Sequence, residues 1–335
     1  IGGTESMLFL GMGALIIGNG YFKANISTIV GKLYKDGDPK RDSGFTIFYI
    51  GINIGALIAT TLIAWVGETH GFKWGFALAG IGMMAGFFIF LSGKKKFEKL
   101  PGVSIPEAGK KKVFAGLNMV QLISIGSLFL IPVCFILIQY NSVMMWLLLG
   151  LLAVVIYSLL SAAKKEDQRM VSANETDALA EKIGDKSKSI WFDRMIAFFL
   201  LFLVNVVFWA CFEQAGTSLT LFADRNVALD GIMNASQTNS LNSLVIIALS
   251  IPVSLLWAYL SKRNLNPRTP YKFGLGLLLA GASFYILSIS GASADENGMV
   301  PFAYLFIMYF ILSIGELFMS PVGLSKITDL SPKRI

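Results

Sequence analysis

Residues 299–325 read Met299-Val300-Pro301-Phe302-Ala303-Tyr304-Leu305-Phe306-Ile307-Met308-Tyr309-Phe310-Ile311-Leu312-Ser313-Ile314-Gly315-Glu316-Leu317-Phe318-Met319-Ser320-Pro321-Val322-Gly323-Leu324-Ser325. One carboxylate, Glu316, is the only charge in this run. A bilayer-crossing helix needs about 20 mainly apolar residues. Polar and apolar positions do not alternate here, so the stretch reads as a helix and not as a barrel strand. Eight further runs share this character, at 7–30, 45–66, 72–92, 113–139, 143–163, 195–222, 241–261 and 273–290. The 335 residues are 55% hydrophobic and only 15% charged, against roughly 25% charged in a soluble globular chain. The expected fold class is an all-α membrane protein with nine transmembrane helices.

The basic residues give the direction. Apart from Lys23, Lys73 and Arg225, every one of the 28 Lys and Arg falls in segments 31–44, 93–112, 164–194 and 262–272 or in the tail after 325. These segments all lie at one side of a nine-helix path. The positive-inside rule puts that side in the cytoplasm. The first helix then runs inward, and an odd number of helices is expected before residue 1. With no initiator Met ahead of Gly2-Gly3, the chain reads as an internal portion of a larger transporter-like protein.

Two basic linkers, 93–112 and 164–194, divide the chain into three blocks. The first holds three helices (1–92) and the last holds four (195–335). The middle block, 113–163, turns at Tyr140-Asn141-Ser142 and contains no ionisable residue well inside it, so it reads as an accessory, lipid-facing hairpin. Two bundles facing a central cavity are the common plan of secondary transporters. The linker 164–194 mixes Glu166, Asp167, Glu175, Asp177, Glu181 and Asp185 with its lysines, the pattern of a solvated, partly helical connector.

Other chemistries find little support. His70 is the single histidine, which removes His-cluster metal sites, and Cys134 and Cys211 lie apart in apolar runs. Segment 36–42 has a proline and lacks the distal Glu of a calcium loop. Gly11, Gly13, Gly18 and Gly20 match no phosphate-binding pattern and are expected to allow close helix approach. A channel would show rings of similar polar groups, and an enzyme would show a nucleophile with its base. Neither pattern occurs, so no metal, no cofactor, no nucleic acid and no enzymatic role are expected.

Lys23, Glu213 and Glu316 sit well inside spans. Each costs roughly 2.5–3.5 kcal/mol to place in a bilayer unless it faces protein, water or a partner. At a rise of about 1.5 Å per residue, Lys23 lies about 24 Å from the outer end of its helix and Glu316 about 22 Å from that of its own, a matching depth. Opposite charge at one depth makes them a candidate gate pair, the alternatives being a permanent structural ion pair or a lysine snorkelling towards the basic side. Trp209, Phe212 and Glu213 share a helical stripe with Gln214 beside it, and Tyr49 with Asn53 and Glu316 with Ser320 are i, i+4 pairs. Pro321 cannot donate to the carbonyl of Leu317, which makes it a candidate hinge.

At these residues the chain resembles the proton-dependent oligopeptide transporter (POT) family of the major facilitator superfamily. The resemblance rests on Gly18-Asn19-Gly20-Tyr21-Phe22-Lys23-Ala24-Asn25-Ile26-Ser27 and on Arg41-Asp42-Ser43-Gly44-Phe45-Thr46-Ile47-Phe48-Tyr49-Ile50-Gly51-Ile52-Asn53-Ile54-Gly55. It continues in Phe208-Trp209-Ala210-Cys211-Phe212-Glu213-Gln214, the stretch from Gln237 to Pro252 around Leu241-Asn242, and Gly315 to Leu324. It implies a major facilitator superfamily fold of two six-helix bundles, in which 7–30 is the fourth helix and 299–325 the tenth, with an extra helical pair between bundles. It further implies a bacterial inner-membrane symporter of di- and tripeptides, with the proton as coupling ion. Lys23, Glu213 and Glu316 are then coupling and gating residues, and Tyr49, Asn53, Trp209, Phe212, Gln214, Asn242 and Ser320 line the peptide site. The family's acidic and arginine motif on its first helix is not in this sequence. Another substrate, such as nitrate or a drug-like molecule, is the alternative within the family, but a lone anion would not need an acidic face at Glu316.

Overall fold

Helix boundaries in the computed structural model follow local chemistry closely. It describes residues 5–34, 40–98, 100, 109, 111–114, 116–172 and 190–330, without the side chains of 24, 40–43, 141, 170–172, 190 and 320–330. The helices are α1 (Glu5–Lys32), α2 (Lys40–Ile58), α3 (Ala64–His70), α4 (Phe72–Phe97), α5 (Met119–Gln139), α6 (Asn141–Ser172), α7 (Ile190–Phe212), α8 (Ser218–Asn226), α9 (Ser240–Lys262), α10 (Thr269–Ile289) and α11 (Phe302–Leu330). Among the described residues, nine helical stretches are long and apolar enough to cross a membrane, and they match the nine expected runs. The expectations for segment 36–39 and for the connector beyond Ser172 lie outside the described residues.

Three spans differ from an uninterrupted helix. The second passes from α2 through a π-helical turn, Ala59–Ile63, into α3. Thr60 and Thr61 donate their hydroxyls to the carbonyl oxygens of Ala56 (2.8 Å) and Leu57 (2.6 Å), which helps satisfy groups at the widened turn. The fourth begins later than position 113. Strands β1 (Lys112–Phe114) and β2 (Leu117–Asn118) form a small antiparallel hairpin with Gly116 at a φ of 78°. Asn118 and Gln121 then make a reciprocal capping box that starts α5 at Met119. The sixth, 195–222, breaks after Phe212.

Two compact units result, Ile1–Tyr49 with Val66–Leu151, and Ile50–Trp65 with Leu152–Ile335. In the first, α5 lies against α1. A Cβ at Gly13 would stand 3.0 Å from the carbonyl oxygen of Ile131 and 3.3 Å from the Cβ of Cys134. Lipid tails are as apolar as leucine, so small residues that let backbones approach are a main source of helix association in a membrane. Gly13 fills that role. A Cβ at Gly11, Gly18 or Gly20 would meet nothing within 4 Å among the described residues, so the close-approach expectation does not extend to them.

The second unit has the deeper core. Phe208, Leu305, Met308, Tyr309 and Leu312 are fully enclosed. The tightest approach joins α10 and α11, where a Cβ at Gly276 would meet the Cγ of Met319 at 2.5 Å and the carbonyl oxygen of Gly315 at 2.9 Å. At the far end of α8, β3 (Val227–Ala228) pairs in parallel with β4 (Val300–Pro301). Ile50–Trp65 belongs to this unit because its π-helical turn lies against the 3-10 turn Ala235–Asn239. There Gln237 Nε2 donates to the carbonyl oxygen of Thr61 at 3.2 Å.

Candidate functional site

Glu316 sits inside α11 and is only 5% exposed. A carboxylate removed from water needs donors. Asn242, near the start of α9 and also buried, supplies one, with Nδ2 donating to Oε2 at 2.9 Å. The same amide nitrogen donates to Ser313 Oγ at 2.9 Å, and Ser313 donates in turn to the backbone oxygen of Tyr309 at 2.7 Å. The phenol of Tyr309 donates to Asn239 Oδ1 at 3.1 Å, and Asn239 Nδ2 reaches Thr220 Oγ1 at 3.3 Å. A polar seam thus runs from Glu316 to α8 between apolar helix faces. The sequence identified Glu316, and the family resemblance Asn242, both at one end of the seam, and Ser313, Tyr309, Asn239 and Thr220 were missed. Extending the stripe by another turn would have found two of them, since Ser313 and Tyr309 precede Glu316 by three and seven residues.

Trp209 and Phe212 are half-buried on α7 and pack against the same core as Tyr309 and Leu312. Their rings meet edge to face, centroids 4.9 Å apart, with Phe208 stacked on Phe212 at 6.1 Å. The expected continuous stripe stops there. Glu213–Gly216 is a 3-10 turn, Thr217 has φ −131° and ψ −93°, and α8 begins at Ser218. Side chains take up the groups the break releases. Gln214 Nε2 donates to the Ala210 oxygen (3.1 Å), Ser218 Oγ to Gln214 Oε1 (2.8 Å), and Thr220 Oγ1 to the Ala215 oxygen (2.7 Å). Glu213 is exposed at this turn, and Gln214 serves it as a brace. Discontinuous helices of this kind are where many transporters place their binding sites.

Below Glu316, α11 is held by an arrangement the sequence did not announce. Lys272, counted with the basic loop 262–272, is instead in the first turn of α10 and buried. Its Nζ lies 4.2 Å from the ring centroid of Trp257 on α9, and that ring meets Phe318 of α11 at 4.9 Å. A cation over an indole face is attracted to the ring quadrupole, more strongly once desolvated.

Asn53 is buried in the second unit, and Tyr49, one turn earlier on α2, is half-buried in the first. Lys23 is exposed on α1 in the first unit. The helix α11 continues through positions 320 and 321, and the side chains of Ser320 and Pro321 lie outside the described residues.

Comparison with known proteins fits this arrangement. The chain is 33% identical over 334 residues to the uncharacterized transporter YclF of Bacillus subtilis, covering 98% of this chain and 63% of that protein. It is 32% identical over 342 residues to a di-/tripeptide transporter of Lactococcus lactis subsp. cremoris, covering 98% of this chain and 64% of that one. The chain thus spans less than two thirds of these relatives. Among solved structures, a mutant of the peptide transporter POT in complex with alafosfalin superposes with a TM-score of 0.68 at 32% identity, over 100% of this chain and 64% of that one. A family model described as the POT family matches residues 3–335. The chain therefore belongs to the POT family, whose fold it shares.

Proposed function

We propose that the protein containing this chain is a proton-coupled symporter of di- and tripeptides, working by alternating access. One observation carries the reading: a carboxylate buried in a membrane-spanning helix, Glu316, held by an amide, Asn242, 2.9 Å away. A short peptide is a zwitterion, and its ammonium end needs such an acceptor. Its carboxylate end needs a cation, for which Lys23 is the candidate. The relatives named di-/tripeptide transporter support the substrate class. Tyr49, Asn53, Trp209, Phe212, Gln214 and Ser320 are the proposed walls, where aromatic groups accept varied side chains without demanding a sequence.

Lys23 and Glu316 pair in this reading when the cavity closes towards the basic side, and Glu213 takes up the proton. Protonating a carboxylate is coupled to making or breaking an ion pair, which links proton movement to gate movement. Residues 1–92 and 195–335 belong to opposite bundles, Pro321 is the hinge, and the basic loops face the cytoplasm of a bacterial inner membrane. The lipid bilayer is the remaining partner.

Uptake of labelled dialanine by the reconstituted full-length protein tests this. Uptake is expected to accelerate with an inward proton gradient. In Lys23→Ala, driven uptake is lost while exchange across the membrane persists. Uptake indifferent to the gradient would refute proton coupling, and unchanged driven uptake in the variant would remove Lys23 from the mechanism.

A further inference from the structure

The sequence makes 113–163 a lipid-facing appendage, and the structure gives both its helices specific partners. In the first unit, α5 seats on α1 at Gly13, the rings of Phe9 and Phe135 meet edge to face at 6.4 Å, and Tyr21 hydrogen-bonds Ser127. In the second unit, the end of α6 is joined to the start of α7. Both carboxylate oxygens of Asp167, a residue only 8% exposed, accept backbone N–H groups of α7, Oδ1 from Trp191 and Oδ2 from Phe192, each at 2.9 Å. Lys164 lies over the Phe192 ring at 5.2 Å, Arg194 lies over the Trp191 ring at 5.1 Å, and Ala163 and Met195 are enclosed.

The first N–H groups of any helix lack partners within it, and a carboxylate there satisfies them and complements the helix dipole. The usual donor of such a cap is the residue immediately before the helix. Here it stands 24 residues upstream of Trp191, on another helix. The cap ties the start of α7 to another helix.

We infer that the hairpin is a strap with α5 fastened to α1 and α6 fastened to α7, and that Asp167 is a positioning residue for α7. Helix α7 runs unbroken from Ile190 to Phe212 and carries Trp209 and Phe212 at its far end. A shift at its start is delivered along a stiff rod to the proposed peptide wall. Asp167 therefore acts on turnover and leaves the polar groups that recognise peptide untouched. This inference rests on the proposed transport function.

The test uses the full-length protein in liposomes. Asp167→Ala is expected to lower the maximal rate of gradient-driven dialanine uptake about tenfold, with KM within about twofold of wild type. Asp167→Asn, which keeps one acceptor, recovers part of the rate. In Asp167→Ala, amide exchange at Trp191 and Phe192 is expected to quicken, because the carboxylate oxygens that accept those N–H groups are gone. Wild-type rate in Asp167→Ala, or amide exchange there unchanged from wild type, would overturn the strap. Exchange is read without transport, so it decides the tie even if wild type fails to carry dialanine, an outcome that would instead refute the function on which the inference rests.

Discussion

Glu213 and Glu316 are the same side chain in two settings of one unit. Glu316 stands in an unbroken helix, buried, with Asn242 donating to it and Ser313 bound to the same amide. Glu213 stands in a 3-10 turn where α7 has ended and α8 has not begun, and it is exposed. A buried, hydrogen-bonded carboxylate on a continuous helix has its geometry fixed by neighbours, which suits recognition of a cationic group. An exposed carboxylate at a break stands on a short turn, with Gln214 bracing the Ala210 carbonyl before it and Thr220 the Ala215 carbonyl within it, a setting that fits the proposed proton carrier. The backbone, more than the residue type, separates the two settings, and the proposed roles follow that separation.

The harshest trial of this division is Glu316→Gln. The substitution keeps size and hydrogen bonding but removes the charge that Asn242 faces. Removing one partner of a buried, hydrogen-bonded charge interaction typically costs about 2–5 kcal/mol, roughly 30-fold or more in affinity. Driven dialanine uptake should fall to background, and equilibrium binding measured by calorimetry should weaken by at least that factor. Binding as tight as wild type would show that Glu316 does not meet the ammonium group and that its burial is structural.

Glu213→Gln comes next in size. Driven uptake is expected to fall about tenfold, within the range for a positioned proton-transfer group. Its dependence on external pH should flatten, while peptide exchange stays near wild type. Loss of exchange together with driven uptake would reverse the assignment and make Glu213 part of the binding surface. The informative readout is the split between the two assays, because misfolding would depress both.

These two residues were legible in the sequence because charge inside an apolar run is costly, and that cost needs only composition to be seen. The nine spans were legible for the same reason, which is why their number and order hold among the described residues. The break after Phe212 was not. It depends on Gln214 and Thr220 offering the backbone alternative partners, with Ser218 holding the Gln214 amide, and in a linear reading those are ordinary polar residues near a helix end. Lys272 misled for a related reason. A lysine beside Arg268 and Tyr271 reads as loop, and only the fold brings Trp257, on the preceding helix, under its ammonium group. Asp167 was hidden among the charges of a connector, since its partners are backbone groups that any sequence possesses.

The smallest expected effect probes what holds Glu316 in place. Gly276 and Gly315 bring α10 and α11 together one residue before the carboxylate, and a methyl group at 276 would press on both Met319 and the Gly315 carbonyl oxygen. The Met319 side chain can turn away, but the backbone oxygen cannot. Overpacking of this kind costs about 1–3 kcal/mol, so Gly276→Ala should melt several degrees lower in detergent and transport a few-fold more slowly. In a Met319→Ala background the side-chain clash disappears and the backbone clash stays. Gly276→Ala should then still lower the melting temperature, by less than before. If the second effect vanishes, the α10–α11 contact is set by the methionine alone, and the rigidity ascribed to the Glu316 helix has lost its footing. If it persists while transport slows, the fixed carboxylate depends on two glycines that touch no substrate.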